Sequence, residues 1–220
     1  MLSKRLQACL EYVKGYDTIM DIGTDHAYLP IEAVLKGYIN RAYAIDNKEG
    51  PLQFAIHNIE SHQVAHRIKT IKSDGIDAID DSVNAIVIAG MGGKTIFDIL
   101  NQKDYHNVKR FVLQPNNQPQ NVRQLTQLNA LKIIDEIIID DQGIPYIIIV
   151  LERGTEHLSE KEVALGPILL KEKPDLYHKV LEEEYQFLTH LIKQVPKEAS
   201  VPIKNKIKLL EEVFDEWHHD

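Results

Sequence analysis

From Thr18 to Leu151 the chain alternates short apolar runs with helix-forming stretches, and few architectures accept that pattern. The spacing predicts strands at Thr18–Ile22, Ala42–Ile45, Ile68–Ile71, Ala85–Ala89 and Arg110–Leu113. Helices are expected between them at Tyr28–Lys36, Pro51–Ser61 and Lys94–Asn101, and after the fifth strand at Gln120–Asn129. Strands joined through helices run parallel, because each right-handed crossover returns the chain to the same edge of the sheet. The early runs are apolar throughout, as strands covered on both faces must be. Ahead of them, Leu2, Leu6, Leu10 and Val13 recur at helical spacing, so an amphipathic helix opens the chain.

The end of this region differs. Strands expected at Ile133–Ile139 and Tyr146–Leu151 are separated only by Asp140-Asp141-Gln142-Gly143-Ile144-Pro145. That is too short for a crossover helix, so the two pair antiparallel. A mostly parallel α/β sheet closed by an antiparallel hairpin is unlike a dinucleotide-binding dehydrogenase sheet and looks like the Rossmann-like sheet of class I methyltransferases. After Arg153-Gly154 strand signals stop. Tyr177, Leu181, Leu188 and Leu191 mark one helical stripe, and Ile203, Ile207, Leu210, Phe214 and Trp217 mark another at heptad-like steps. Residues 195–202 supply the break between them. The expected division is residues 1–153 as the cofactor-binding domain and 154–220 as a helical hairpin or coiled-coil domain.

Composition removes several classes. Cys9 is the only cysteine, which excludes an internal disulfide framework and a cysteine-based zinc site. No apolar run approaches the roughly 20 residues that span a bilayer. The opening Met1-Leu2-Ser3-Lys4-Arg5-Leu6 lacks the apolar core of a secretory leader, so no signal peptide is expected; the single cysteine fits a reducing cytoplasm, and a monomer without membrane contact is expected. Net charge is −8, which does not advertise a nucleic-acid binder, although a local basic face can sit on an acidic protein. The helical tail holds nine Lys and Arg against fourteen Asp and Glu. A basic RNA-facing patch there would be Lys204, Lys206 and Lys208; elsewhere Lys4, Arg5, Arg110 and Arg123 offer charge. His57, His62 and His66 lie close in sequence without an acidic companion set, and no metal is expected.

The densest signal is Asp21-Ile22-Gly23-Thr24-Asp25-His26-Ala27-Tyr28-Leu29-Pro30, which follows the first strand and opens the first crossover helix. In doubly wound sheets, ligands bind outside the carboxyl ends of the strands. A dinucleotide site wants G-x-G-x-x-G, so that the pyrophosphate meets bare backbone. Asp25 and His26 would repel a pyrophosphate, but they suit a ligand bearing an ammonium and a sulfonium. Strand two ends at Asp46, where an acidic side chain commonly accepts bonds from ribose hydroxyls. Asn58 on the next helix is a further polar candidate. Asp74-Gly75 after strand three is placed to take an adenine amine with room for the ring. Strand four ends in Gly90-Met91-Gly92-Gly93-Lys94, which lacks the P-loop pattern despite its glycines. Strand five ends in Gln114-Pro115-Asn116-Asn117, whose amides can pair with a base edge.

Together these segments resemble the bacterial tRNA adenine-N1 methyltransferases that modify the adenosine at position 22. The likeness is carried by DIGTDHAYLP at 21–30, Glu49-Gly50-Pro51 after the acidic end of strand two, GMGG at 90–93, LQPN at 113–116 and the helical tail. The resemblance implies S-adenosylmethionine as donor and tRNA as partner. It implies donor contacts from Gly23, Asp25, His26, Tyr28, Asp46, Asp74, Gly75 and Met91; Asp21, Asn58 and Gly90 are added from the residues themselves. Thr24 stands where Ser is expected, Asp46 where Glu is frequent, and Lys72-Ser73-Asp74-Gly75 is looser than the family's stretch.

Adenine N1 has an in-plane lone pair and needs no base to make it nucleophilic. Asp25 and Asn116 are the expected stabilisers of the positive charge on the methylated base, Tyr28 lines the pocket, and His26 takes the proton later lost from N6. The competing readings are a methyltransferase acting on a small molecule or protein, and a non-catalytic cofactor-fold module that binds RNA. Methyl incorporation into bulk tRNA separates the first reading; donor binding without product marks the second.

Overall fold

The computed structural model describes residues 2–101, 107–196, 198 and 200–219. Among these, one sheet runs in the order β3-β2-β1-β4-β5-β7-β6. Its strands are β1 (Thr18–Ile22), β2 (Arg41–Asp46), β3 (Ile68–Lys72), β4 (Ala85–Met91), β5 (Arg110–Pro115), β6 (Leu131–Asp141) and β7 (Ile144–Arg153). β1 to β5 pair parallel, and β7 pairs antiparallel with both β5 and β6. The order reverses between β1 and β4, which makes their carboxyl ends the crevice where a ligand sits.

Helices α1 (Lys4–Glu11), α2 (Tyr28–Leu35), α3 (Glu49–Ser61), α4 (Gly93–Leu100), α5 (Pro119–Arg123) and α6 (Leu125–Leu128) flank the sheet. β1 is buried along its whole length. The strand side chains alternate between two apolar layers. Ile19, Ala44, Val87 and Val112 face the layer containing Cys9, Leu10 and Val34. Met20, Ile45, Ile86, Ile88 and Phe111 face the layer containing Ile96 and Leu100. Burial pushes the Cys9 thiol up to about 12, so it is a packing group rather than a nucleophile.

The helix expected over Gln120–Asn129 is interrupted. α5 and α6 are separate turns with Gln124 between them. Gln118 adopts a left-handed conformation ahead of Pro119, which starts α5, and the buried Arg123 side chain fixes the end of that turn.

Past residue 154 the chain is helical: α7 (Glu160–Leu165), α8 (Pro167–Glu172), α9 (Asp175–Leu191) and α10 (Ser200–His219). Ser159 and Glu162 form a reciprocal capping box at the start of α7. Of the break expected over 195–202, residues 197 and 199 lie outside the described residues, and α10 already begins at Ser200. α9 and α10 meet through Tyr177, Leu181, Leu210 and Val213, and this cluster continues onto Ile138 of β6 and Ile147 of β7. Val213 lies outside the predicted stripe, whereas Phe214 and Trp217 of the stripe are only half-buried.

Candidate functional site

A cavity of about 190 Å³ opens at the carboxyl ends of β1 and β4, lined by Arg5, Asp21, Gly23, Asp25, His26, Tyr28 and Gly90 among others. The β1–α2 loop is built by backbone that L residues seldom adopt. Gly23, Asp25 and Ala27 have φ of 74°, 51° and 56°. Two non-glycine residues in the left-handed region within one loop store strain of the kind that concentrates at ligand sites. The surrounding bonds hold it: Gly23 N and Thr24 N both donate to Ile45 O, and Ala27 N donates to Thr24 O. At Gly23 the left-handed φ strains any L side chain, and a Cβ would lie 2.2 Å from Met91 Cε, so the end of the methionine would have to move. Met91 therefore closes one wall of the crevice over bare backbone. Ala27, not Asp25, occupies the N-cap of α2, so the Asp25 carboxylate is not spent on capping that helix.

Asp21 is buried and accepts a 2.6 Å bond from the Thr24 hydroxyl. Burial pushes its carboxyl up to about 6, with the Thr24 bond pulling the other way and Asp46 adding repulsion. An unfolded Asp releases its proton near 3.8, so the folded state holds a proton the unfolded state has lost between about pH 4 and 6. Stability falls as pH rises through that window, and the full cost is present above pH 6. Asp21→Asn should therefore stabilise the ligand-free protein by up to about 3 kcal/mol at pH 8. It should change little at pH 4. Thermal melts at the two pH values check this; an equal shift at both would disprove it.

The opposite wall comes from the first helix. Arg5 Nη1 donates to Gln114 Oε1 at 2.6 Å, and its guanidinium lies 5.5 Å from the centre of the Tyr146 ring. Gln114 Nε2 donates onward to Asn116 Oδ1 at 3.3 Å, and Asn116 Nδ2 donates to Gly90 O at 2.7 Å. This amide relay ties α1 to the strand-four glycine and fixes the side chain of Asn116. From sequence Arg5 was expected to offer charge to RNA and Gln114 to present its amide to a base edge; Arg5 instead lines the cavity, and the Gln114 amide is buried between Arg5 and Asn116. Gln114 is fully buried at a strand end, and such a buried amide is the one local signal of the relay.

Around the neighbouring strands, Asp46 and Asp74 stand together. Asp46 Oδ1 accepts from Lys48 N at 2.9 Å, Asn47 Nδ2 donates to Asp74 Oδ1 at 3.3 Å, and Ser73 N donates to Asp46 O. Gly75 has φ of 141°, and a Cβ there would press on Ile99 Cγ2 at 3.1 Å. The structure thus brings Asp21, Gly23, Asp25, His26, Tyr28, Gly90 and Met91 to one crevice, with Asp46, Asp74 and Gly75 along the adjoining strand ends. Asn58 is placed behind the loop, where its Nδ2 donates to His26 O at 3.0 Å. His26 Nε2 lies 3.6 Å from Asp25 Oδ2.

The expected basic residues are redistributed. Arg110 pairs with Glu152 at 2.5 Å, Arg123 is fully buried against Glu136, and Arg5 belongs to the cavity. Guanidinium groups paired inside the fold are not an RNA-facing patch. Among the described residues no group of three His, Cys, Asp or Glu could hold a metal, and no helix is long and apolar enough to cross a membrane.

The chemistry of this lining fits S-adenosylmethionine: carboxylates for an ammonium, a guanidinium for a carboxylate, an acid pair beside a nucleoside, and bare backbone at Gly23. Comparison with known proteins agrees. The family model described as tRNA (adenine(22)-N(1))-methyltransferase matches residues 19–215. The tRNA (adenine(22)-N(1))-methyltransferase of Bacillus subtilis strain 168 is 33% identical, covering 97% of each chain. The crystal structure of the B. subtilis m1A22 tRNA methyltransferase superposes with a TM-score of 0.90 at 32% identity, over 97% of this chain and 98% of that one. The M. capricolum member, solved with the cofactor product S-adenosylhomocysteine, gives 0.90 at 30% identity over 98% of each chain. Seen with the cavity's own chemistry, these matches establish that this chain belongs to the tRNA (adenine(22)-N(1))-methyltransferase family.

Proposed function

We propose that this protein transfers the methyl group of S-adenosylmethionine to N1 of the adenosine at position 22 of tRNA. The observation that carries the reading is the crevice between β1 and β4, walled by Asp21 and Asp25 on one side and Arg5 on the other. Asp21 and Asp25 take the ammonium of the donor's amino-acid end, and Arg5 takes its carboxylate. Asp46 accepts from the ribose hydroxyls, Asp74 and Gly75 receive the adenine, and Gly90 and Met91 form the wall toward the acceptor. His26 and Tyr28 border the methyl-bearing end, and Asn58 holds the His26 carbonyl so that the loop keeps its shape.

The donor supplies a methyl group activated by the positive charge on its sulfur. The protein's own work is positional, because holding reacting atoms in line at about 3 Å supplies much of such a rate enhancement. Asn116, fixed through Gly90 and Gln114, presents an amide to the edge of the acceptor base. Asp25 and Asn116 offset the positive charge that the base acquires, as oxygen acceptors held beside the place where that charge develops. His26, beside Asp25, accepts the proton lost from N6 afterwards. We place donor binding in residues 1–153 and assign the helices of 154–220 to holding the tRNA. The protein is proposed to work as a cytoplasmic monomer.

The test is to incubate the protein with donor and unmodified tRNA, digest the RNA and identify the product nucleoside. N1-methyladenosine is expected; a methylated small molecule in place of tRNA would overturn the reading. Arg5→Met should weaken S-adenosylmethionine about 10- to 100-fold, since a charge-assisted bond in a partly dry site is at stake. Calorimetry checks it, and an unchanged Kd would remove Arg5 from the donor site.

A further inference from the structure

Three aromatic rings gather at the mouth of the donor cavity. The His26 ring stacks on Tyr28 with centroids 5.2 Å apart and planes 25° apart, and the same His26 ring lies 5.3 Å from Phe54 at 55°. Tyr28 is 49% exposed and Phe54 58% exposed. The core-facing packing of α3 does not use Phe54. That helix is seated by Leu52, Ala55 and Ile59, which point into the core. Phe54 stands off that face, toward the β1–α2 loop. The Asn58 bond to His26 O ties α3 to the loop one turn further on, so Phe54 is carried at a fixed distance from the donor cavity.

We infer that Phe54 is a base-stacking residue, receiving the face of an unpaired base of the RNA substrate as that base reaches the donor cavity. The inference rests on the proposed reaction. N1 lies on the Watson–Crick edge, so the reacting adenine must leave its stack and its partner. A flat apolar ring beside the donor replaces part of the stacking that the base gives up. The surroundings favour a base over a protein surface. The patch is small and its edges are polar: Asp25, Asn58 and the ring nitrogens of His26 offer hydrogen bonds around a stacked heterocycle. A specific protein interface needs on the order of 1,000 Å² or more of buried surface.

The test uses the full chain with unmodified tRNA and S-adenosylmethionine. Phe54→Ala should raise KM for tRNA by about tenfold or more, with donor Kd within about twofold of wild type. Phe54→Trp should restore KM, and its indole emission, read above the background of Trp217, should be quenched by tRNA. Wild-type kinetics for Phe54→Ala would overturn the proposal. So would equal weakening of donor and tRNA, which would place Phe54 in the donor site, or a change in sedimentation, which would make the ring a contact between copies of this chain. Quenching needs no turnover. Quenched Phe54→Trp with no N1-methyladenosine from the wild type would keep the stacking and remove the reaction.

Discussion

Glu136→Gln should cost the folded protein about 3–5 kcal/mol, because it strands a buried positive charge. Arg123 and Glu136 have side chains with no exposure, and Arg123 Nε donates to Glu136 Oε1 at 2.7 Å. The pair sits between two helix ends. Arg123 Nη1 donates to Val163 O at 3.2 Å and Ala164 O at 3.3 Å in the last turn of α7, while Glu136 Oε2 accepts from Ile168 N at 3.1 Å in the first turn of α8. A cation at a helix C-terminus and an anion at an N-terminus both complement the backbone dipoles. Gly166 makes the elbow between them with φ of 95°, and a Cβ there would lie 2.6 Å from both Arg123 Nη2 and Glu136 Oε2. This ion pair therefore links the helices after Gly154 to β6 and α5, beside the apolar cluster that reaches Ile138 and Ile147. A drop in melting temperature of about 10 °C is expected for Glu136→Gln. The double variant Arg123→Met/Glu136→Met should recover most of it, since replacing a whole buried pair by apolar groups is often close to neutral. Arg123 Nη2, which has no hydrogen-bond partner in the fold, loses its desolvation cost in that variant. A double variant as unstable as the single one would show that packing, not charge, is what Glu136 contributes.

That ion pair also marks where sequence reading stops. The strands were legible because their apolar runs are dictated by double burial, and β1 falls on the predicted Thr18–Ile22. Asp21, Gly23, Asp25, His26 and Tyr28 were legible as a unit because they are contiguous. Arg123 was read as a surface charge, since nothing local announces that Glu136, thirteen residues away on a hairpin strand, will neutralise it. Arg5 reaches the cavity only because α1 packs across β4 and β5, a placement with no periodic trace. Phe54 lies on a helix whose amphipathic face is already complete, so its position toward His26 follows from the loop, not from α3 itself. In each case the missing information is a long-range pairing.

Gly93→Ala should lower kcat about 100-fold while leaving donor affinity within a few-fold, because it moves the acceptor side of the site and not the donor side. Gly93 begins α4, and its N–H donates to Asn117 O at 3.0 Å. A Cβ on Gly93 would sit 2.1 Å from Gln118 O and 2.8 Å from Asn117 O. Both are backbone atoms, so no rotamer change relieves the overlap; the 116–118 segment must retreat by about 1 Å to reach ordinary contact. That segment carries Asn116, whose amide reaches Gly90 O only at its present position. Displacing it opens the wall between the two ligands, and a shift of this size in a positioning group is enough for a loss of two orders of magnitude. The donor partners proposed above, Arg5, Asp21, Asp25 and Asp46, stand on α1, β1, the β1–α2 loop and β2, whereas the atoms nearest a Cβ on Gly93 are all backbone of Asn117 and Gln118. Single-turnover methylation of tRNA together with calorimetric donor binding separates the two effects. Equal losses in both would mean that the loop after β5 shapes the donor cavity, and the division of labour between β1 and β5 would have to be abandoned.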